Sequence, residues 1–180
     1  MIRLVFGGEK SGKSRLAYDL FCAAHGSGVV LAMGQARDAA FRQQILGHRL
    51  DRDPAIPVVE PGINLARALA DARTRGCNAL VDSLDFWLFA CMEAREDRAD
   101  ELLEELAHWD ASLPECVLVS CEIGLGPVAQ TSFVRRFVRE LGGLNQRLAA
   151  LAGEALFVVA GCPISLKRED HLKRDEHAPL

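Results

Sequence analysis

Gly7-Gly8-Glu9-Lys10-Ser11-Gly12-Lys13-Ser14 is the stretch on which the reading of this chain turns. It matches G-x-x-x-x-G-K-[ST] in full, follows the apolar run Ile2 to Phe6 and opens a helical segment, Lys13 to Ala24. Strand, glycine-rich turn and helix in that order make a phosphate cradle. The glycines let successive backbone N–H groups curl around anionic oxygens, and the helix N-terminus adds its partial positive charge. Lys13 is placed to reach the β- and γ-phosphates of a nucleotide, and the Ser14 hydroxyl to ligate Mg²⁺.

Outward from that loop, short apolar runs alternate with longer segments of helical period, the pattern of parallel strands joined by crossover helices. Strands are expected at Ile2 to Phe6, Val29 to Ala32, Ile56 to Glu60, Ala79 to Val81, Cys116 to Ser120 and Leu156 to Ala160. Helices are expected at Lys13 to Ala24, Asp38 to His48, Ile63 to Arg75, Leu84 to Met92, Arg98 to Ser112 and Ser132 to Ala152. In the last, Phe133, Phe137, Leu141, Leu144, Leu148 and Leu151 keep to one face, which reads as core. Gly142-Gly143 interrupts that helix and predicts a kink or a close approach there. The fold class is therefore α/β, a mostly parallel central sheet flanked by helices.

The chain has 180 residues, the size of one ordinary domain, with 49% hydrophobic and 26% charged residues. Such a composition excludes a chain that is mainly disordered. A net charge of −4, from 21 basic and 25 acidic residues, argues against bulk nucleic-acid binding. No run reaches the length of a membrane span and no signal peptide opens the chain, so the cytoplasm is the expected location. Cys22, Cys77, Cys91, Cys116, Cys121 and Cys162 have no Cys-x-x-Cys spacing and read as buried free thiols. Residues 1–167 are expected to form one nucleotide-binding catalytic domain, and 168–180 a charged, solvated tail in which His171 and His177 are not read as metal ligands.

A phosphate-binding loop of this kind needs an acidic residue at the end of another strand to hold Mg²⁺ or its water. Asp82, after Ala79-Leu80-Val81, is placed for that on the neighbouring strand, with Asp85 the lesser candidate. The competing role for Asp82 is to cap the helix that starts near Leu84. Glu122, after an apolar strand, has equal claims as a site residue and as an acceptor for nearby backbone amides. His48 lies at the end of a helical pattern with Arg49 and Arg52 just beyond it. Alone, it would complement the helix dipole; beside a phosphate cradle, a neutral imidazole is a competent nucleophile toward phosphorus.

At this point the sequence resembles the adenosylcobinamide kinase / adenosylcobinamide-phosphate guanylyltransferase family of cobalamin biosynthesis. The resemblance runs from Met1 to Lys167 and rests on an ordered set of motifs. These are Gly7 to Arg15, Ile45-x-x-His48-Arg49-x-x-Arg52, Glu60-Pro61, Val81-Asp82-Ser83-Leu84 with Trp87-Leu88, and Glu122-Ile123-Gly124-Leu125-Gly126. Arg135, Phe137, Gly142, Asn145-Gln146-Arg147-Leu148-Ala149 and Gly161-x-Pro163-x-x-Leu166-Lys167 complete it. The likeness implies a RecA-like P-loop fold and two reactions. One moves the γ-phosphoryl group of ATP or GTP to the aminopropanol hydroxyl of adenosylcobinamide. The other moves GMP from GTP to the resulting phosphate through a GMP-histidine intermediate.

By motif match, His48 would be the guanylylated nucleophile and Lys13 the other catalytic side chain. Gly7, Gly8, Glu9, Lys10, Ser11, Gly12, Lys13 and Ser14 would hold the triphosphate. Ala32, Met33, Gly34, Arg49, Leu50, Asp51 and Arg52 would complete the nucleotide site, and Glu60 and Asp82 would add contacts, with Ser14 and Asp82 at the metal. A carboxylate suits the two adjacent donors of guanine, N1–H and the N2 amino group. The likeness also implies a homo-oligomer, a trimer, with the corrinoid and the nucleotides as small-molecule partners. The chain departs from the family at Pro127-Val128-Ala129-Gln130-Thr131, at Val138-Arg139, at Arg52-Asp53-Pro54 and in the charged tail. Two other readings fit the residues: a P-loop kinase of a small metabolite with His48 structural, and a nucleotide-binding protein that has lost one or both activities.

Overall fold

The computed structural model describes residues 1–34, 53–109, 114–126 and 131–168. Seven strands form one sheet: β1 (Ile2–Gly7), β2 (Gly28–Ala32), β3 (Val58–Val59), β4 (Asn78–Asp82), β5 (Cys116–Cys121), β6 (Glu154–Val159) and β7 (Cys162–Arg168). Their order is β3-β2-β4-β5-β1-β6-β7, and every neighbouring pair is parallel except β6 and β7. The helices are α1 (Lys13–Ala23), α2 (Leu65–Thr74), α3 (Leu84–Ala94), α4 (Ala99–Leu106) and α5 (Ser132–Leu151). The expected helix at residues 38–48 lies outside the described residues.

Residues such as Leu4, Val5, Leu80, Val81, Val117 and Leu118 are buried to 1% exposure or less because the sheet is covered on both faces. One face carries α2, α3, α4 and α5, whose Leu69, Trp87, Leu106 and Leu144 share a core with Leu4, Val81 and Leu118. The other carries α1, whose Ala17 and Phe21 pack on Val5, Val30, Leu80 and Val119. Among the described residues no helix is long and apolar enough to cross a membrane.

The β6–β7 hairpin is a departure from the sequence expectation, which ended the sheet at β6. Val159 pairs with Cys162, leaving Ala160 and Gly161 as a two-residue turn with φ of 51° and 80°. Two successive positive φ values match the twist of a tight hairpin, but Ala160 is not a residue that announces such a turn. β7 runs to Arg168, and residues 169–180 lie outside the described set.

Three further expectations are corrected. The strand expected over Ile56 to Glu60 contracts to Val58–Val59 at the sheet edge, where β2 is its one partner among the described residues. Cys91, Cys116 and Cys121 are buried, but Cys22 and Cys162 are exposed, since one lies on the outer side of α1 and the other opens the edge strand. All six are free, and burial pushes the Cys91 thiol up to about 11 and Cys116 up to about 12. In α5, Leu141, Leu144 and Leu148 are buried, but Phe133 at one end and Leu151 at the other are 42% and 40% exposed, because the helix overhangs the sheet.

The α5 helix passes unbroken through Gly142-Gly143, and a Cβ at either position would meet nothing within 4 Å. A close approach is therefore not what the pair serves. Gly143→Ala is expected to stabilise the fold by about 1 kcal/mol, raising Tm by roughly 2–4 °C, because alanine costs less backbone entropy in a helix. Thermal unfolding followed by circular dichroism checks this.

Candidate active site

The carboxyl ends of the parallel strands gather the chemistry, as open α/β sheets do. The loop Gly8–Gly12 leaves β1, Met33-Gly34 follow β2, Glu60 follows β3, Asp82 ends β4 and Glu122 follows β5. Asp82 is not on the strand next to the loop: β5 lies between β1 and β4. The contact is made instead by α1, whose Ser14 Oγ donates to Asp82 Oδ1 at 3.2 Å. Helix α3 begins with Ser83 as its N-cap, so capping is not the work of Asp82.

The conformation of the loop follows from its glycines. Gly12 has φ 95°, a region a side chain disfavours, and Lys10 is also left-handed at 53°. Ser11 N–H donates to the Gly8 carbonyl at 3.3 Å, and Lys13 Nζ donates to the same carbonyl at 3.2 Å. At Gly7 an added Cβ would lie 2.4 Å from the Val158 carbonyl oxygen and 2.8 Å from Ser11 Oγ. The Ser11 hydroxyl is buried and has no hydrogen-bond partner among the described residues. An orphaned donor inside a curled loop, with Lys13 beside it, fits a bound phosphate.

Sequence reasoning missed the support for this loop. Gly161, at the tip of the β6–β7 turn, donates its N–H to the Ser11 carbonyl at 2.8 Å, and its Cα would lie 3.3 Å from a Cβ at Gly12. The hairpin thus braces the loop from beneath. The one cue in the sequence was Gly161 shortly after the apolar run Leu156 to Val159, with Ala160 before it adding no turn signal.

Ser14 Oγ and Asp82 Oδ1 present a hydroxyl and a carboxylate, hard oxygen donors of the kind Mg²⁺ takes. Met33 N–H donates to the Asp82 carbonyl at 3.0 Å, tying the Ala32-Met33-Gly34 segment to the same place. Burial pushes the Asp85 carboxyl up, against donation from the Ser83 hydroxyl and the attraction of Lys13, and Asp85 Oδ1 has no hydrogen-bond partner among the described residues. Asp85 is therefore a half-buried carboxyl group within reach of the Lys13 charge. Glu122 Oε1 accepts from Gly124 N–H at 2.7 Å, so its role as an acceptor for backbone amides is realised. Asn145 is structural: it accepts from Ser120 Oγ at 2.6 Å and donates to the Cys121 carbonyl at 3.1 Å, locking α5 onto the end of β5. Glu60 is exposed at the rim. His48, Arg49, Leu50, Asp51 and Arg52 lie outside the described residues.

The comparison with known families decides what this cradle belongs to. The profile described as "Cobinamide kinase / cobinamide phosphate guanyltransferase" matches residues 3–166. The chain belongs to this family. It is 36% identical over 168 residues, 92% of this chain and 97% of the other, to the bifunctional adenosylcobalamin biosynthesis protein CobP of Pseudomonas aeruginosa. It is 31% identical to the bifunctional adenosylcobalamin biosynthesis protein CobU of Salmonella typhimurium and 30% identical to that of Escherichia coli. In both cases the match takes in 93% of this chain and 100% of the relative. These three relatives are thus matched along nearly their full length.

Proposed function

We propose that the chain phosphorylates adenosylcobinamide and then guanylylates the product through His48. The observation that carries this is the meeting of Ser14 and Asp82 across a complete G-x-x-x-x-G-K-[ST] loop, in a member of a family named for both transfers. In the first reaction the acceptor hydroxyl attacks the γ-phosphorus of ATP or GTP, the bond to the β-phosphate breaks, and the hydroxyl proton is lost. Lys13 and the loop N–H groups stabilise charge on the departing oxygens. A Mg²⁺ ion held by Ser14 and Asp82 would neutralise charge on the triphosphate.

In the second reaction a neutral His48 nitrogen attacks the α-phosphorus of GTP and pyrophosphate leaves. The phosphate of the corrinoid then displaces the imidazole, forming adenosyl-GDP-cobinamide and restoring the enzyme. Arg49 and Arg52 would offset charge on the phosphates under attack, and Glu60 would face the guanine edge. The same reading makes the protein cytoplasmic and homo-oligomeric, a trimer, with residues 1–167 as its catalytic domain.

The experiment is the intact mass after incubation with Mg²⁺ and GTP, denatured at neutral or alkaline pH because a phosphoramidate is acid-labile. The expected result is a gain of one GMP, absent in His48→Ala and falling off below about pH 6 as the imidazole protonates. GTP binding with no adduct would leave a simple kinase or an inactive nucleotide binder, and a rate flat to low pH would remove His48 as the attacking group.

A further inference from the structure

The aromatic end of α5 has no place in the mechanism above, although it lies at the same edge of the sheet. Helices α3 and α5 both start at the carboxyl ends of the strands that lead into them, β4 and β5. Phe86, in the first turn of α3, is 39% exposed, and Phe133 and Val134, in the first turn of α5, are 42% and 41% exposed. Phe89 joins the two helices, with its ring 5.7 Å from Phe133 and 5.8 Å from Phe137, edge to face in both pairs. Leu125, in the loop that leaves β5, is 79% exposed. Phe137 rests on the main core, so the outer rings stand on a fixed base.

We infer that this apolar shelf, Phe86, Phe89, Phe133, Val134 and Leu125, is where the corrin macrocycle of the substrate docks. The inference rests on the function proposed above. A corrinoid is far too large to enter the phosphate cradle, so only its aminopropanol arm does, and the ring must lie on the protein surface that borders the cradle. Between its amide arms the ring carries methyl groups, and these suit an apolar, rigid support of the kind aromatic side chains provide. The chain ties the shelf to the cradle: α3, which carries Phe86 in its first turn, begins directly after Asp82-Ser83, and the Asp82 carboxylate meets Ser14. Elsewhere on the rim, Glu9 and Lys10 of the loop and Glu60 after β3 present charged groups, and the apolar Val58 and Val59 beside Glu60 are an isolated pair without an aromatic ring. An isolated exposed phenylalanine needs no explanation, but Phe86 and Phe133 both exposed in the first turns of two helices joined by the Phe89 ring do.

The test is titration calorimetry of adenosylcobinamide into wild type, Phe86→Ser and Phe133→Ser, with GTP affinity, GMP-adduct formation and sedimentation measured on each. The expected result is a corrinoid Kd weakened about 10-fold in each variant, as loss of an aromatic anchor gives. GTP affinity, adduct yield and oligomer mass should stay as in wild type, and the KM for corrinoid should rise with kcat held. Phe133→Leu, which keeps an apolar side chain, should recover most of the affinity. Corrinoid binding unchanged in both serine variants overturns the shelf, as does a change in oligomer mass, which would make the patch a contact between copies of this chain. A wild type that forms the GMP adduct but binds no corrinoid removes the acceptor named in the function itself, and the shelf falls with it. A wild type that forms no adduct but loses corrinoid affinity in the serine variants retains the shelf and removes only the nucleotidyl step.

Discussion

Lys13→Ala is expected to lower kcat/KM for both transfers by about 10²–10³-fold, the usual consequence of removing one preorganised donor from developing phosphate charge. The ammonium belongs to the phosphate loop and donates to the Gly8 carbonyl at 3.2 Å. That bond holds the side chain over the mouth of its own loop, and a phosphate oxygen is a stronger acceptor than the carbonyl it would leave. The fold should hardly notice the change, since one such bond is worth about 0.5–1.5 kcal/mol. Initial rates of both reactions, with circular dichroism as the control, check it. Lys13→Arg is not expected to restore activity, because a guanidinium fork is wider than the compact ammonium the loop accommodates. Retention of more than half the wild-type rate in Lys13→Ala would mean that charge on the triphosphate is stabilised elsewhere.

Gly7→Ala is expected to damage fold and site together. The added methyl would lie 2.4 Å from the Val158 carbonyl oxygen of the adjoining strand, a backbone atom that cannot swing aside, and 2.8 Å from Ser11 Oγ. Relief requires β1 to part from β6 or Ser11 to move, and Ser11 is the residue braced by Gly161. Overpacking of this kind costs about 1–3 kcal/mol, and a loss of that size lowers Tm by roughly 2–12 °C in a chain of this length. Nucleotide affinity should fall as well, by about 10-fold or more if 1.4 kcal/mol of the strain is taken up by the loop. Gly8→Ala supplies the contrast for stability, since a Cβ at Gly8 meets nothing within 4 Å. Thermal unfolding of the two variants side by side should separate them clearly, and equal melting temperatures would show that β6 yields at no cost.

The sheet, its flanking helices and the phosphate loop were legible in the linear order of residues because local rules govern them. Strands buried on both faces must be apolar throughout, helices must repeat their apolar positions at three and four, and a loop that wraps phosphate favours glycine at a turn such as Gly12, with φ 95°. Val117 to Val119, Leu141 to Leu148 and Gly7 to Ser14 carry those signals undiluted. The place of Ser14 was likewise readable, since its hydroxyl follows Lys13 at the first turn of a helix.

Tertiary structure alone decided the rest, because the deciding contacts join residues remote in sequence. Asp82 reaches Ser14 past an intervening strand, a fact of strand order that no spacing along the chain records. The brace from Gly161 to Ser11 depends on a tight turn whose first residue is an alanine in a left-handed conformation, so the turn is imposed by strand pairing rather than announced by composition. In α5 the same periodic stripe is core at Leu144 and open surface at Phe133, because periodicity defines a face and only packing determines how far along the helix that face is covered.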